Sequence, residues 1–423
     1  MLTRCYISPI KHQYKLQLIK PTTTPPITFA PSTTPYSDKY YQPIISEGSS
    51  GFSKLIIPKD FRATNQELTP DETFINRQHE LEEIVKTFNA PIDVSIGYGS
   101  GILPQDGYDL PKVSGTSAPA SSTSSGGSST TTTTTTTTTS SSQQLDFIHI
   151  VPDSHEFHRV NLQQNRSHYS FKSLSIINFI QGTGIYFNPF ISINNKLIKY
   201  GIISTENALL DLCDWNSLYF AGRLQKPVNI IEDQDTRIKF LNQYNLKNAM
   251  TVSIILIQKG QFTELELYEQ ITRLSYLGDF RMKIGGENPN KVKNIVNKQF
   301  THFKKLYEPI LQFFIHNNYL IILDNDPVNK TFKKNLNTNN KIRLISTLPH
   351  QFRNQLYQQY YDKSIKYIAK DNDLPKHITK IISRTIQISS IKQAIRGVFT
   401  AGLFKSVKYA WAKQVKYWQG KKT

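Results

Sequence analysis

Two short runs hold the residues with the strongest claim to chemistry: Val94-Ser95-Ile96-Gly97-Tyr98-Gly99-Ser100-Gly101 and Leu145-Asp146-Phe147-Ile148-His149-Ile150-Val151. The first is an apolar strand running into a glycine-rich turn, where missing side chains let backbone N–H groups approach an anion. The second is a β-rich run with one carboxylate at its start. A carboxylate in an otherwise apolar strand is costly unless it is hydrogen-bonded or holds a cation. Nucleotidyl transfer needs such parts: donors for a leaving pyrophosphate and a divalent ion beside the triphosphate. Ser100 and Asp146 are therefore the candidate catalytic residues, Gly99, Ser100 and Gly101 the candidate phosphate contacts, and Asp146 the candidate Mg²⁺ ligand.

The turn lacks the Lys-Ser/Thr ending of a P-loop and the spacing of a dinucleotide fingerprint. A nucleotidyltransferase pattern also expects a second carboxylate two positions after the first, where this chain has Ile148; His149 and Asp153 are near but off that spacing. His155, His158 and His168 lie in a polar region without a thiolate cluster, and read as hydrogen-bonding residues rather than zinc ligands. Lys199, Arg223 and Lys226 are the cations best suited to phosphate.

These residues need a scaffold, and its signals begin near Phe61. Asp71 to Phe88 has helical periodicity, and Pro91 stops it before the strand at Val94. From 114 to 144 the composition collapses to Ser, Thr and Gly, which builds no core. Loop closure costs only about 0.6 kcal/mol per doubling of length, so a surface hairpin can carry such an insert and its two strands can still pair. Helix is expected over Leu174 to Gln181, strand over Lys196 to Ile203, and a helix capped by Ser204 to roughly Phe220. Further helices are expected over Gln234 to Tyr244, Thr263 to Tyr276 and Asn290 to Ile315; periodicity leaves Met250 to Ile257 open between helix and strand. Asp279 to Glu287 reads as the β-turn of a wing or as a loop covering the substrate.

The chain has 423 residues and a net charge of +18, so anionic partners are favoured. Met1 to Tyr36 is acid-free, basic and partly amphipathic, like a mitochondrial targeting segment followed by a Thr/Pro spacer. Cys5 and Cys213 are the only cysteines, which excludes a disulfide framework. No acidic residue follows Asp373, and Ile391, Ile395, Val398, Phe399, Trp411 and Trp418 share one stripe bordered by lysines, including Lys405 and Lys408. That is the composition of a helix in a membrane interface, or of one packed on its own domain.

Gly97-Tyr-Gly-Ser-Gly101, Leu145-Asp-Phe-Ile148, His158-Arg-Val-Asn-Leu162, Lys199-Tyr-Gly201, Leu218-Tyr-Phe-Ala-Gly-Arg-Leu-Gln-Lys-Pro-Val228, Tyr276-Leu-Gly-Asp-Phe-Arg-Met282 and Gly397-Val-Phe-Thr-Ala-Gly402 together resemble the mitochondrial phosphatidate cytidylyltransferase family, also known as the translocator assembly and maintenance family. The resemblance implies an enzyme that makes CDP-diacylglycerol and pyrophosphate from CTP and phosphatidate with Mg²⁺, feeding cardiolipin synthesis. It implies a peripheral protein on the matrix side of the mitochondrial inner membrane, in contact with anionic lipids. Gly99, Ser100 and Asp146 would be its nucleotide and metal residues.

The expected fold is α+β: residues 1–45 as targeting segment and spacer, 60–227 as a nucleotidyltransferase-type mixed-sheet domain with its 114–144 insert, 228–385 as a helical, winged-helix-like domain, and 386–423 as a basic amphipathic membrane segment with Lys405, Lys408, Trp411 and Trp418. Two rival functions share the residues. A nucleotidyltransferase acting on RNA would need aromatics interleaved with cations in a groove; the strongest such cluster here is a terminal stripe, so no nucleic-acid partner is expected. A noncatalytic factor for protein import would tolerate Ser100→Ala and Asp146→Asn. The oligomeric state is not legible.

Overall fold

The computed structural model describes residues 41–45, 52, 55–68, 72–103, 144–283 and 288–401. The expected targeting segment, most of the Ser/Thr insert, and Lys405, Lys408, Trp411 and Trp418 lie outside the described residues. Among those described, the fold is α+β.

A small antiparallel pair, β1 (Ile44–Ile45) with β2 (Leu55–Ile56), precedes the main sheet. That sheet has the order β5-β6-β4-β3-β7, built from β3 (Val94–Tyr98), β4 (Leu145–Val151), β5 (Tyr186–Ile193), β6 (Lys196–Ser204) and β7 (Asn229–Asp233). β3 and β4 pair antiparallel, so the interrupted hairpin closes as expected. β4 and β6 run parallel. A parallel pair requires a crossover, and α2 (Ser154–Gln164), α3 (Leu174–Gln181) and β5 supply it.

Alternation along the strands sorts the side chains onto two faces. Leu145, Phe147, Val151, Tyr200 and Ile202 pack with Leu81 and Ile84 of α1 (Glu72–Lys86) and Phe157 of α2. Val94, Ile96, Tyr98, Ile148, Ile150 and Ile203 join the larger core with α4 (Thr205–Asp214) and α6 (Thr236–Leu256). Asp146 and Lys199 alternate onto this second face, at the end of the sheet where the apolar positions of β4 run out.

Ser204 caps α4 as expected, accepting the Asn207 amide at 3.4 Å. The helix does not reach Phe220, however. Trp215 takes a left-handed conformation (φ 57°), and the Asp211 carboxylate gathers the amides of the following loop. The short helix α5 (Ala221–Leu224) follows. The expected boundary at 227 also falls short, because β7 adds to the sheet beside β3. Likewise Tyr41, inside the expected spacer, is 1 % exposed and sets its ring 4.8 Å from that of Phe313.

The undecided Met250–Ile257 run is helical through Leu256: α6 is one helix, capped by Asp235 and buried nearly all round between the sheet and the later helices. Most of its buried polar residues have partners, as when Asn242 donates to Gln66 at 2.9 Å. Beyond it lie β8 (Gln261–Thr263), α7 (Glu264–Leu274), α8 (Phe280–Lys283), α9 (Lys291–Lys298), α10 (Phe300–His316), β9 (Leu320–Asp324) and β10 (Thr331–Lys334). Thr263 and Glu266 form a reciprocal capping box on α7. The expected Asn290–Ile315 helix breaks at Gln299 into α9 and α10. The hairpin β9–β10 with β8 makes a three-stranded sheet; the Asp279–Glu287 segment, expected as a wing turn or a covering loop, holds the helix α8, and its residues 284–287 lie outside the described residues.

Helices α11 (Thr338–Ser346), α12 (His350–Gln359), α13 (Ile365–Lys370) and α14 (Leu374–Ala401) complete the fold. α14 crosses the expected 385/386 boundary without a break. Its first half buries Ile378, Ile381, Ile382 and Ile386 in the main core, and its second half lies along β5 and α3. Among the described residues no helix is long and apolar enough to cross a membrane.

Candidate active site

The glycine-rich turn is pressed onto the start of β4. Gly99 has φ +79°, and its carbonyl accepts the amides of Ile102 at 3.1 Å and Leu103 at 2.8 Å. The turn's own hydrogen bonds therefore use those two amides and not the Ser100 or Gly101 amides. A Cβ on Gly99 would lie 3.3 Å from Asp146 Oδ2, and one on Gly101 would strike the Gln144 carbonyl oxygen at 2.1 Å. Only glycine permits that approach. Arg77 of α1 pins the turn from behind by donating to the Gly101 carbonyl.

Register does the rest. Asp146 stands opposite Tyr98 on β3 and beside Lys199 on β6, with the Lys199 ammonium 3.7 Å from Asp146 Oδ1. Lys199 also lies over the Phe187 ring at 4.4 Å. The Arg223 guanidinium lies over the rings of Tyr98 at 4.4 Å and Tyr219 at 4.9 Å, and donates to the Tyr219 hydroxyl at 3.1 Å. Burial alone would raise the Tyr219 phenol, but the positive charges of Arg223, Arg281 and Lys199 pull it below its ordinary value. Arg223 thus touches both phenols, and the charges of Lys199 and Arg281 reach Tyr219 from two further elements. Tyr98 Oη and Arg223 Nε are buried there without a protein partner among the described residues.

The scaffolding of these cations is specific. Asp211, 4 % exposed, accepts from the amides of Ser217, Leu218, Phe220 and Ala221 and from the Ser217 hydroxyl, all at 2.7–3.0 Å. The loop that presents Tyr219 and leads into Arg223 is folded around that carboxylate. Asn245 of α6 secures the same loop through Trp215, Gln225 and the Ala221 carbonyl. Arg281 is held in a bidentate pair with buried Asp279 (2.6 and 3.0 Å). The turn before it touches α14 at Gly278 (φ +77°), where any Cβ would lie 2.2 Å from the Ser383 carbonyl oxygen.

Lys226 is turned differently from its sequence neighbour Arg223. Its ammonium is held by the Gly222 carbonyl and the Ser275 hydroxyl, and it shares the Tyr276 ring with Lys291, each 5.7 Å from the centroid. Burial, then the charges of Arg223 and Lys291, lower its pKa to about 7.

His149, His158 and His168 bond to side chains of the fold, while His155 is exposed. His149 bonds Ser95 Oγ at 3.0 Å among the rings of Phe88, Phe147, Phe157 and Tyr200, and burial lowers its pKa to about 3. His158 bonds Tyr169 and Gln181, and His168 bonds Tyr200. Asp153 caps α2. Among the described residues no group of three or more His, Cys, Asp or Glu could hold a metal ion, and no second carboxylate joins Asp146 in such a cluster.

The structure therefore brings together the Gly99–Gly101 turn, Asp146, Lys199 and Arg223. It adds Tyr219, Arg281 and Asp211, which sequence reasoning gave no role; Tyr219 and Arg281 sit within the quoted motifs, but nothing in their spacing places them on one point.

The family described as "Phosphatidate cytidylyltransferase, mitochondrial" matches residues 81–416, a span that holds every residue of this constellation. The chain belongs to this family. Three curated relatives bear the name "Phosphatidate cytidylyltransferase, mitochondrial". That of Schizosaccharomyces pombe is 34% identical over 370 residues, covering 82% of this chain and 85% of the relative. The Saccharomyces cerevisiae relative is 35% identical over 361 residues, 84% of this chain and 73% of its own length. The mouse relative is 38% identical over 297 residues, 65% and 84% respectively. Membership of the cytidylyltransferase family does not favour the import-factor and RNA readings, and it covers both halves of the fold.

Proposed function

We propose that this chain transfers the cytidylyl group of CTP to phosphatidate, giving CDP-diacylglycerol and pyrophosphate for cardiolipin synthesis. One observation carries the reading: a glycine-rich turn whose Ser100 and Gly101 amides have no backbone partner among the described residues, seated on a carboxylate, Asp146, that faces Lys199. A phosphate oxygen of phosphatidate attacks the α-phosphorus of CTP, the bond to the bridging oxygen breaks, and pyrophosphate leaves. The Ser100 hydroxyl and the Ser100 and Gly101 amides would hold the departing phosphates, while Lys199 and Arg223 would offset the charge that gathers there. The unpartnered Tyr98 Oη and Arg223 Nε would find partners on the nucleotide.

Mg²⁺ fits this donor set through Asp146. It binds through one or two carboxylates plus substrate phosphates and keeps several waters, so it does not need an all-protein cage, and among the described residues no group of three or more ligating side chains forms one. Bound there, it would neutralise charge on the triphosphate. Asp146 would hold the ion, and Lys199 would keep the carboxylate aligned.

Phosphatidate is dissolved in a bilayer, so the protein must meet one. We place it peripherally on the matrix side of the mitochondrial inner membrane, with the basic tail, including Lys405, Lys408, Trp411 and Trp418, against anionic lipid. The test supplies the purified chain with phosphatidate in anionic vesicles, Mg²⁺, and each of the four labelled nucleoside triphosphates. CDP-diacylglycerol is expected with CTP alone. Its absence, or full activity of Asp146→Asn, overturns the reading.

A further inference from the structure

The cations around the site form a row in which charges alternate with rings. Lys199 lies over Phe187, whose ring centroid is 6.5 Å from that of Tyr219, and Tyr219 lies under Arg223. Lys226 follows three residues later, in a turn closed by its own amide, which donates to the Arg223 carbonyl at 3.2 Å. The Lys226 ammonium then shares the Tyr276 ring with Lys291 of α9, each 5.7 Å from the centroid. The row starts on the sheet, beside Asp146, and ends among the helices of the second half of the chain. In the proposed reaction CTP engages Lys199 and Arg223, and the second pair has no task.

Two ammoniums against one ring repel each other, and Lys226 shows the cost: burial, then the charges of Arg223 and Lys291, lower its pKa to about 7. An anion between them would relieve that repulsion. A lysine ammonium has three donors. Two of those on Lys226 go to the Gly222 carbonyl and the Ser275 hydroxyl, and among the described residues none takes the third. Cytidylyl transfer, for its part, needs a second anion site. The acceptor's phosphate monoester carries about −1.5 to −2 charges near neutral pH, and it must approach a triphosphate that repels it. Its attacking oxygen arrives roughly in line with the leaving pyrophosphate, hence from the side away from the Gly99–Gly101 turn. Tyr98, which leads into that turn, lies under Arg223. Arg223 thus stands between the turn and the Lys226–Lys291 pair.

We propose that Lys226 and Lys291, at Tyr276, form the subsite that holds the phosphate monoester of the acceptor lipid, with Arg223 between it and the phosphates of CTP. The inference rests on the reading of phosphatidate as the acceptor. In the product the acceptor's phosphorus and that of the cytidylyl group share one bridging oxygen, so the cations that hold them must be neighbours. Arg223 and Lys226, on one closed turn, meet that requirement. Ammoniums also suit the task, because point charges on flexible stems can follow a phosphate as its oxygen forms the new bond. Lys291, Ser275 and Tyr276 all come from the second half of the chain. The sheet half would then receive the nucleotide, and the helical half the acceptor.

Steady-state kinetics of the full chain with Mg²⁺, CTP and the soluble dihexanoyl phosphatidate tests the assignment. Lys291→Met is expected to raise KM for phosphatidate at least about tenfold while KM for CTP stays within about twofold. Lys226→Met should show the same split where it folds, and Lys291→Arg, which keeps the charge, should hold KM for phosphatidate within about threefold of the parent. An unchanged phosphatidate KM in Lys291→Met overturns the proposal. So does a rise in KM for CTP as large as that for phosphatidate, which would assign the pair to the nucleotide. Equilibrium binding separates the subsite from the wider reading. The chain is saturated with the α,β-methylene analogue of CTP, which cannot turn over, and titrated calorimetrically with dihexanoyl phosphatidate. Binding by the parent and its loss in Lys291→Met are expected; equal binding by both, or none by the parent, overturns the subsite. A parent that forms no CDP-diacylglycerol sinks the cytidylyl-transfer reading, while the titration still decides the subsite.

Discussion

Asp146 and Lys199 sit side by side on the parallel strands β4 and β6, with the ammonium 3.7 Å from the carboxylate and both side chains about a quarter exposed. A pair this open to solvent adds little to stability, so its worth lies in the chemistry. Asp146→Asn is expected to cost at least ~10³-fold in kcat, and Lys199→Met ~10²-fold or more, with unfolding midpoints close to the parent. Steady-state kinetics beside thermal unfolding checks both; a variant that loses stability in proportion to activity would assign the pair to the fold.

Asp211 touches no site atom, yet five donors on the loop before Arg223 depend on it. Asn in its place keeps one acceptor and turns an amide toward donors. Asp211→Asn is expected to lose ~2–4 kcal/mol of stability and, in protein still folded at low temperature, to lower kcat/KM at least ~10-fold because Tyr219 and Arg223 are displaced together. Asp211→Glu should restore part of the stability and little of the activity, read by denaturant titration and kinetics.

Lys226 offers a measurement that does not require turnover. Its pKa of about 7 in the folded chain lies below the unfolded value, so the unfolded chain binds more protons between the two and stability rises with pH from 7 toward about 10. A polyanion arriving nearby returns the ammonium to its charged form. Binding of CTP near pH 8 is expected to take up close to ~1 proton, measured as the dependence of calorimetric enthalpy on the ionisation enthalpy of the buffer. Lys226→Met should bind without that uptake; identical uptake would assign the proton elsewhere.

His149 is neutral because burial depresses it to about 3, and His158 is likewise lowered to about 4. Both are bases whose folded-state pKa lies below the unfolded one, so their stabilising contribution is complete above about 6.5 and is lost as pH falls. Urea midpoints should decline from pH 6 to 4, and His149→Leu should flatten that slope by about 1.4 kcal/mol per pH unit. An unchanged slope would mean that the imidazole is not buried as a neutral base.

Much of this was written in the local sequence. The Gly97–Gly101 turn after a strand, the carboxylate of β4, the Ser204 cap and the bounds of α3 follow from backbone freedom, capping and alternation, which act over a few residues. The pairing of β3 with β4 across the insert followed from the weak dependence of closure entropy on length. The length of α4 was also decided locally, since it stops at Asp214 because a side chain seven residues upstream of Leu218 takes up the amides of the following loop; the Met250–Ile257 run, open between helix and strand in the sequence, was decided by packing, since its neighbours bury it within α6.

The sequence by itself determined the family, the basic charge, and which residue types stand ready for phosphate. Only the tertiary structure decided which of them meet. Register across three strands put Asp146 between Tyr98 and Lys199, and a loop wound on Asp211 brought Arg223 to Tyr98 and Tyr219. Contacts between residues this far apart in the chain are set by packing, which no local periodicity encodes. The same physics removed His149 and Asp153 as partners for a metal, since one is a core side chain and the other a helix cap.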